Sequence, residues 1–529
     1  MDHAMNAPSR STIWLRSQDQ LQRALPEFLE SRRWFGGKTR AISSVELADV
    51  IPIPHPAIAV AVLIARVNYS DGPSDLYTVP LLDEPGPLRN PASVDQGRIR
   101  VRDVEGVEHE FSDALLNASV LETLLGAIRE ARRFPGRNGE LAGVPTRSLD
   151  TLQNAAAGNL QPSPMKVEQS NTSILYGKAF VLKFFRRLEM GVNPDFEVGR
   201  FLSERAGFHN IPAVAGGFEY RDAGPEPATM AILQGFVANQ GDAWKHTLKA
   251  VSDYYDRVAA TDRKPEIIGV QSLGGYAAEA ALLGQRTAEM HAALASDSAD
   301  PSFAPEPFSP AEQRSVSESM ISLTHETFGL LRRRSSDLPP HSREVAEAAL
   351  ASEAALKERF RSLAGHRLAG PRIRIHGDLH LGQILFTGDD FIFIDFEGEP
   401  ARTLAERREK HSPLRDPAGM VRSFHYAAYA ALFARLEAVG PQSNEWRSLV
   451  PFANAWYSVA AAEYLRAYFD AAALARFLPA DRGESDFWLR FWLLGKAVYE
   501  LKYELNHRLD WIAIPLEGIA SLLEREAAW

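Results

Sequence analysis

The sequence predicts an α+β fold in two lobes, a small strand-rich lobe followed by a large helical one, with an extra strand-rich domain in front. Three observations carry this expectation. Apolar runs broken by Gly and Pro continue to about residue 150, strand–turn–strand units fill 151–240, and 3.6-residue apolar periodicity dominates 241–529. Domain boundaries are therefore expected at 1–150, 151–240 and 241–529.

In the first segment, a helix at about 18–31 leads into Arg32-Arg-Trp-Phe-Gly-Gly-Lys38. Residues 45–62 hold apolar runs with partial alternation, and Ile99-Arg-Val-Arg102 alternates cleanly, as a half-buried strand does. In the last segment, 277–295 and stretches within 343–364, 417–438, 452–477 and 486–506 carry helical period. Residues 296–318, rich in Pro, Ser and Asp, read as a long surface loop, and no internal repeat is present.

Composition limits the function. With 529 residues, 45% of them hydrophobic, the chain can build two or three domains with real cores. A net charge of −10 argues against nucleic acid as a partner. No run reaches transmembrane length and the first residues lack an apolar signal core, so no membrane partner and a cytoplasmic location are expected. Without cysteine there is no disulfide, no thiol nucleophile and no Cys-based zinc site.

The chemistry concentrates in 375–398, IHGDLHLGQILFTGDDFIFIDFEG. Two strand-like runs each end on an aspartate, Asp378 and Asp395, with Gln383 between them and a Gly/Asp-rich turn joining the halves. A strand-end Asp taken alone is an ordinary turn or cap residue. The combination repeats a kinase arrangement: an Asp that accepts the proton of the attacking hydroxyl, an amide five residues later, and a strand closing on a second Asp. Folded as a hairpin, the three would converge as hard oxygen donors, making Gln383 and Asp395 candidate ligands of Mg²⁺, with Mn²⁺ as an alternative. Gly377 replaces the usual Arg, and Asp395-Phe-Glu-Gly398 the usual D-F-G, which points to a small-molecule kinase rather than a protein kinase.

An ATP-binding lobe must then lie upstream. In Phe180-Val-Leu-Lys183-Phe-Phe185 a lysine interrupts an apolar strand, where the bland alternative is a solvent-facing alternate position. Glu197 follows in a helix opened by Pro194 and Asp195, which suits the strand-lysine to helix-glutamate pair that holds a kinase lysine on phosphate. Gln169, Ser170, Asn171 and Thr172 stand where a glycine-rich loop is expected; short polar side chains still offer donors to phosphate. Gln234, Phe236 and Val237 close an apolar strand ahead of Ala238 and fit a hinge meeting adenine, an edge strand being the plain alternative.

Several motifs resemble the bacterial maltokinases: RRWFGGK near the start, LLGQRTAEMH (282–291), HGDLHLGQIL, IDFEGEP, RREKHSPLRDPAGMVRSF (407–424) and KAVYELKYE (496–504). The resemblance spans nearly the whole chain and implies a bilobal, aminoglycoside-phosphotransferase-like fold with an N-terminal cap. It also implies transfer of phosphate from ATP to the anomeric hydroxyl of maltose, feeding α-glucan and glycogen synthesis, and association with trehalose synthase as a monomer or homodimer. A related group phosphorylates glucosamine and shares most of these motifs.

Lys496, Tyr499, Glu500 and Tyr503 lie at i, i+3, i+4 and i+7, on one helix face that suits either packing or a saccharide. The resemblance lifts Lys496, Tyr499, Tyr503 and the loop residue Asp416 toward sugar binding. Because Lys496 and Glu500 can neutralise each other one turn apart, a neutral acceptor is favoured. The chain departs from the family's N-R-P-x-W with Asn506-His-Arg-Leu-Asp-Trp511. His376 stands among the substrate-facing candidates and reads equally as a hydrogen-bonding strut. Glu397 reads as an orienting residue or a sugar acceptor. A glycan-binding pseudokinase would need a member of the Lys183, Glu197, Asp378, Gln383, Asp395 set to be missing, and none is. The Met1 start with its own front domain is expected to belong to a separate enzyme rather than to the end of a bifunctional one.

Overall fold

The computed structural model describes residues 12–83, 97–155, 160–165, 170–260, 264–366, 370–436 and 443–524. The chain forms two units, Met1–Arg205 with Pro212–Ala238, and Ala206–Ile211 with Asn239–Trp529.

Two sheets make up most of the first unit. Helix α1 (Gln18–Glu30) buries Leu21, Leu25, Phe28 and Leu29 on one stripe. It packs on β1 (Ile42–Ile53), which begins an antiparallel meander with β2 (Ala59–Tyr69) and β3 (Asp75–Asp83). Strands β4 (Ile99–Arg102) and β5 (Glu108–Asp113) complete the order β1-β2-β3-β5-β4. One face of this sheet packs on Trp14, Trp34, Phe35 and α1. The other face, with Ile51, Val62 and Ile64, shares a core with α2 (Ala118–Arg129) and with Phe180, Leu182, Phe218 and Leu233 of the second sheet. Apolar surface on both faces explains why β2 reads as a continuous hydrophobic run.

The second sheet begins as early as β6 (Arg133–Pro135) and β7 (Glu140–Pro145). It continues through β8 (Pro162–Pro164), β9 (Asn171–Tyr176) and β10 (Phe180–Phe185). Next, β11 (Arg187–Leu188) pairs with β3, so the strand bearing Lys183 runs straight into the first sheet. After α3 (Pro194–Phe201) come β12 (Val214–Arg221) and β13 (Ala228–Gly235), giving the order β6-β7-β12-β13-β10-β9-β8.

The second unit is mostly helical. Among the described residues its longer helices are α4 (Ala243–Ala259), α5 (Tyr276–Leu294), α6 (Pro310–Arg333), α7 (Pro340–Ala351), α8 (Glu353–Gly365), α9 (Arg415–Arg435), α10 (Asn444–Ala472), α11 (Arg482–His507) and α12 (Ala513–Glu524). The expected loop at 296–318 is half wrong. Ser309 caps α6 in a reciprocal box with Glu312, and Pro310 takes the first helical position. Ser-Pro-x-Glu is a helix-start pattern, which the composition reading overlooked. Helix α5 lies directly on α10 because Gly284 has no Cβ to meet the backbone of Tyr464.

The catalytic-type segment forms a shorter hairpin than expected. Strand β16 (Ile384–Phe386) pairs with β17 (Phe391–Phe393). The run before Asp378 is not its partner: Ile373 bridges His411, and β15 (Pro371–Arg372) pairs with β14 (Glu306–Pro307). No helix among the described residues is long and apolar enough to cross a membrane.

Candidate active site

Asp378 sits in a loop with no ladder to hold it. Gly377, at φ +86°, turns the chain in the left-handed region that glycine tolerates. Asp416, from the first turn of α9 and 1% exposed, fixes that turn. Its Oδ2 accepts from the backbone N–H of His376 at 2.8 Å, and its Oδ1 from Gly377 at 3.0 Å. The ring of His291 on α5 adds a contact to Oδ2 at 3.0 Å. Burial opposes a charged Asp416, but the bond to His291, the electrostatic pull of the His291 and His376 rings, and the Gly377 N–H together hold its carboxyl below the ordinary carboxylate range. Asp416 therefore spends both oxygens on the loop, although it also lines the cavity beside Asp378. His376 is likewise a strut. Its Nε2 lies 3.0 Å from the carbonyl of Ile394, its Nδ1 accepts from Asp378 N–H at 3.4 Å, and its ring packs on Phe396.

Lys496, projecting from α11, donates to Asp378 Oδ1 at 3.1 Å. Burial would lower the Lys496 pKa, yet Asp378, Glu399 and Glu500 outweigh it and hold the ammonium above its ordinary value. These two residues stand on the wall of a small cavity, beside Glu399, Arg415, Trp492 and Tyr499. Glu399 accepts from Arg402 at 2.9 Å and pairs with Arg415 at 3.0 Å. Its burial is outweighed by Arg415, Lys496 and Arg402, which keep it well below the usual carboxylate range. Glu399 lies in the IDFEGEP motif, yet nothing in its spacing marked it as a cavity residue.

The helix stripe divides. Lys496 Nζ lies 5.0 Å from the Tyr499 ring centroid, and both line the cavity. Glu500 faces Arg422, which donates from Nε at 2.8 Å and pairs through Nη2 at 2.7 Å. The expected Lys496–Glu500 neutralisation is thus replaced by two tertiary pairs, Lys496 with the Asp378 loop and Glu500 with Arg422, because each partner comes closer than the helical neighbour. Tyr503 is 44% exposed, stacks on His507 at 4.3 Å, and is absent from the cavity lining.

Across the hairpin base, Gln383 Nε2 donates to Asp395 Oδ2 at 3.1 Å, while Ile394 N–H donates to the Gln383 carbonyl at 3.0 Å. Asp395 adopts a left-handed φ of +67°. A ligand-type oxygen of Glu397 lies within 4.8 Å of one on Asp395, and Arg407 holds the Glu397 carbonyl at 3.2 Å. Carboxylate and amide oxygens are the donors that a hard divalent cation takes, so this set fits Mg²⁺.

In the first unit, Lys183 on β10 pairs in register with Ser173 and Ile232. Its Nζ donates to Asp195 Oδ2 at 3.2 Å, at the start of the helix that carries Glu197. Sequence reasoning saw Asp195 only as a helix-start residue, and no local signal marks it as the lysine's partner. Asn171 and Thr172 are strand residues rather than loop residues. The Thr172 hydroxyl is buried and accepts from Arg186 Nε at 2.8 Å. Ser170 is an exposed bend, and Gln169 lies outside the described residues. Gln234 is half-buried on β13 opposite Val181, and Phe236 N–H is spent on the Ala179 carbonyl at 2.8 Å. Val237 is half-buried, one residue before Ala238, where the first unit ends.

Residues 28–103 match the maltokinase N-terminal cap domain, and residues 164–398 match the phosphotransferase enzyme family. A solved glucosamine kinase in complex with glucosamine, ADP and inorganic phosphate has a TM-score of 0.64 at 21% identity, covering 96% of this chain and 99% of that one. The fold is a kinase-like phosphotransferase fold with an N-terminal cap. A glucosamine kinase of Streptacidiphilus jiangxiensis is 26% identical over 449 residues, 83% of this chain and 92% of the relative. Another from Mycolicibacterium smegmatis is 26% identical over 366 residues, 68% of this chain and 79% of the relative. The phosphotransferase match contains Lys183, Asp378, Gln383 and Asp395, whereas Lys496, Tyr499, Glu500 and Tyr503 lie beyond its end.

Proposed function

We propose that this protein is an ATP-dependent sugar kinase that phosphorylates the anomeric hydroxyl of maltose, giving ADP and maltose 1-phosphate. The observation that carries the reading is Asp378, a carboxylate on the wall of a cavity that also presents Trp492, Tyr499 and Lys496. Aromatic faces cover the apolar face of a sugar ring, and charged groups meet its hydroxyls.

In this reading Asp378 accepts the proton of the attacking hydroxyl, and Lys496 keeps it oriented as a carboxylate. Gln383 and Asp395 would hold Mg²⁺, which supplies charge neutralisation on the phosphates. Lys183, braced by Asp195, meets the phosphates of ATP. Ser170, with the strand that follows, covers them, and the Gln234–Val237 segment borders the adenine.

Charge accounting favours a neutral acceptor. On the cavity wall, Asp378 is paired with Lys496, Glu399 with Arg402 and Arg415, and Asp416 with backbone N–H groups and His291. An ammonium group on the sugar would find no carboxylate without a cation or N–H already on it. The match to the maltokinase cap points the same way. A second reading, glucosamine as acceptor, is favoured by the names of both relatives. The test is a panel of maltose, glucose, glucosamine and aminoglycosides with ATP and Mg²⁺, followed by ADP release. Maltose is expected to give the highest kcat/KM. Turnover of glucosamine with maltose untouched would replace the maltose reading, and no turnover of any sugar would end the kinase reading.

A further inference from the structure

The motif Leu282-Leu-Gly-Gln-Arg-Thr-Ala-Glu-Met-His291 has no place in the chemistry proposed above, and neither Arg286 nor His291 lines the cavity. Both nevertheless connect to the segment 375–398, Arg286 directly at the hairpin turn and His291 through Asp416 at the Asp378 loop.

Arg286 meets the hairpin turn. Its Nε and Nη2 each donate to one oxygen of Asp390 at 2.9 Å, a two-pronged geometry that fixes direction as well as distance. Asp390 in turn closes the turn with Thr387, receiving the Thr387 N–H at its carbonyl and giving its own N–H to Oγ1, both at 3.0 Å. That turn joins β16 to β17, whose far ends lead to Gln383 and Asp395.

His291 meets the base-bearing loop through Asp416. The ring is fully buried, with Nδ1 3.0 Å from the Tyr468 hydroxyl and Nε2 3.0 Å from Asp416 Oδ2. A carboxylate can only accept, so the proton is assigned to Nε2 and Tyr468 donates to Nδ1. Arg286 and His291 sit five positions apart on α5, about 7.5 Å of helix rise. The backbone contact of Gly284 with Tyr464 seats that helix on α10.

We propose that α5 is a two-point brace in which Arg286 positions the metal-holding hairpin and His291 positions the base-bearing loop, each independently of the other. This rests on the phosphotransfer reading for what the two halves do. Neither residue touches substrate, so both are positioning residues. Their losses should fall on different quantities.

The test compares Arg286→Met, Arg286→Lys, His291→Leu and His291→Gln. Mn²⁺ binding with ADP present is read by electron paramagnetic resonance, alongside kcat and both KM values. Arg286→Met should weaken Mn²⁺ binding about tenfold, the loss of one charged hydrogen-bonded contact. It should also speed amide exchange in residues 384–393, and Arg286→Lys should recover part of both. His291→Leu should lower kcat about tenfold or more with Mn²⁺ affinity and the KM for ATP unchanged. His291→Gln, whose amide N–H can still reach Asp416, should recover part of that loss and remains informative should the Leu variant fail to fold. Equal losses of Mn²⁺ affinity and kcat in both series would overturn the brace, as would Tm changes with neither quantity moved. A wild-type enzyme that phosphorylates no sugar would sink the kinase reading, while Mn²⁺ binding and amide exchange would still decide the Arg286 arm.

Discussion

Lys183 reaches its place through a regular ladder, flanked on β10 by β9 and β13 in unbroken antiparallel register. Asp378 stands in a stretch without strand partners, where a glycine turn, two backbone bonds to Asp416 and one bond from Lys496 define its position. A ladder spreads the cost of positioning over many weak bonds, so one side chain can change with small effect on the rest. A clamp concentrates it in a few buried, charged contacts, where losing one partner leaves the other stranded. Lys183 should therefore be separable from its surroundings, and the loop bearing Asp378 should not.

The largest effect expected is at the loop. Asp378→Asn should lower kcat by at least about 10²-fold, the lower range for general base catalysis, with the KM for ATP unchanged. A variant that instead loses ATP binding would break the separation of the two sites. Next comes the nucleotide lobe. Lys183→Met should raise the KM for ATP by about 10- to 100-fold, the worth of a charged hydrogen bond, and Asp195→Asn should move it in the same direction by less. The KM for sugar should hold in both, and a matching change there would show the sites to be coupled. The smallest effects belong to the aromatic residues of α11. Tyr499→Ala should raise the KM for sugar several-fold, whereas Tyr503→Ala, exposed and stacked on His507, should stay within about twofold, as surface substitutions do. Equal effects from the two tyrosines would extend the acceptor site past the cavity described.

The same contrast explains what could be read in the sequence. Lys183 was legible because an apolar strand broken by one lysine is a local pattern, and the fold class followed from periodicities of 2 and 3.6. Asp378, Gln383 and Asp395 were legible as a spacing, although the hairpin was drawn too wide, since the run before Asp378 finds its partners elsewhere. The pairs Arg422–Glu500 and His291–Asp416 span 78 and 125 residues, separations that no window can join, while Asp195, only 12 residues from Lys183, reads locally as a helix start. The helical neighbour was therefore the natural guess for Lys496, and the tertiary partner won. Asn171 and Thr172 were misplaced for a related reason: short polar residues suit turns, but Arg186 gives Thr172 a buried partner inside a strand.

In the proposed reaction, phosphate passes from ATP to a neutral sugar at the loop bearing Asp378. Its most direct measurement is ³¹P NMR of wild-type protein with ATP, Mg²⁺ and maltose, with the Asp378→Asn variant in parallel. A new sugar-phosphate resonance split by the anomeric proton should grow in step with ADP in wild type and at least about a hundredfold slower in the variant. ATP left intact, or cleaved only to inorganic phosphate with maltose unchanged, would contradict it.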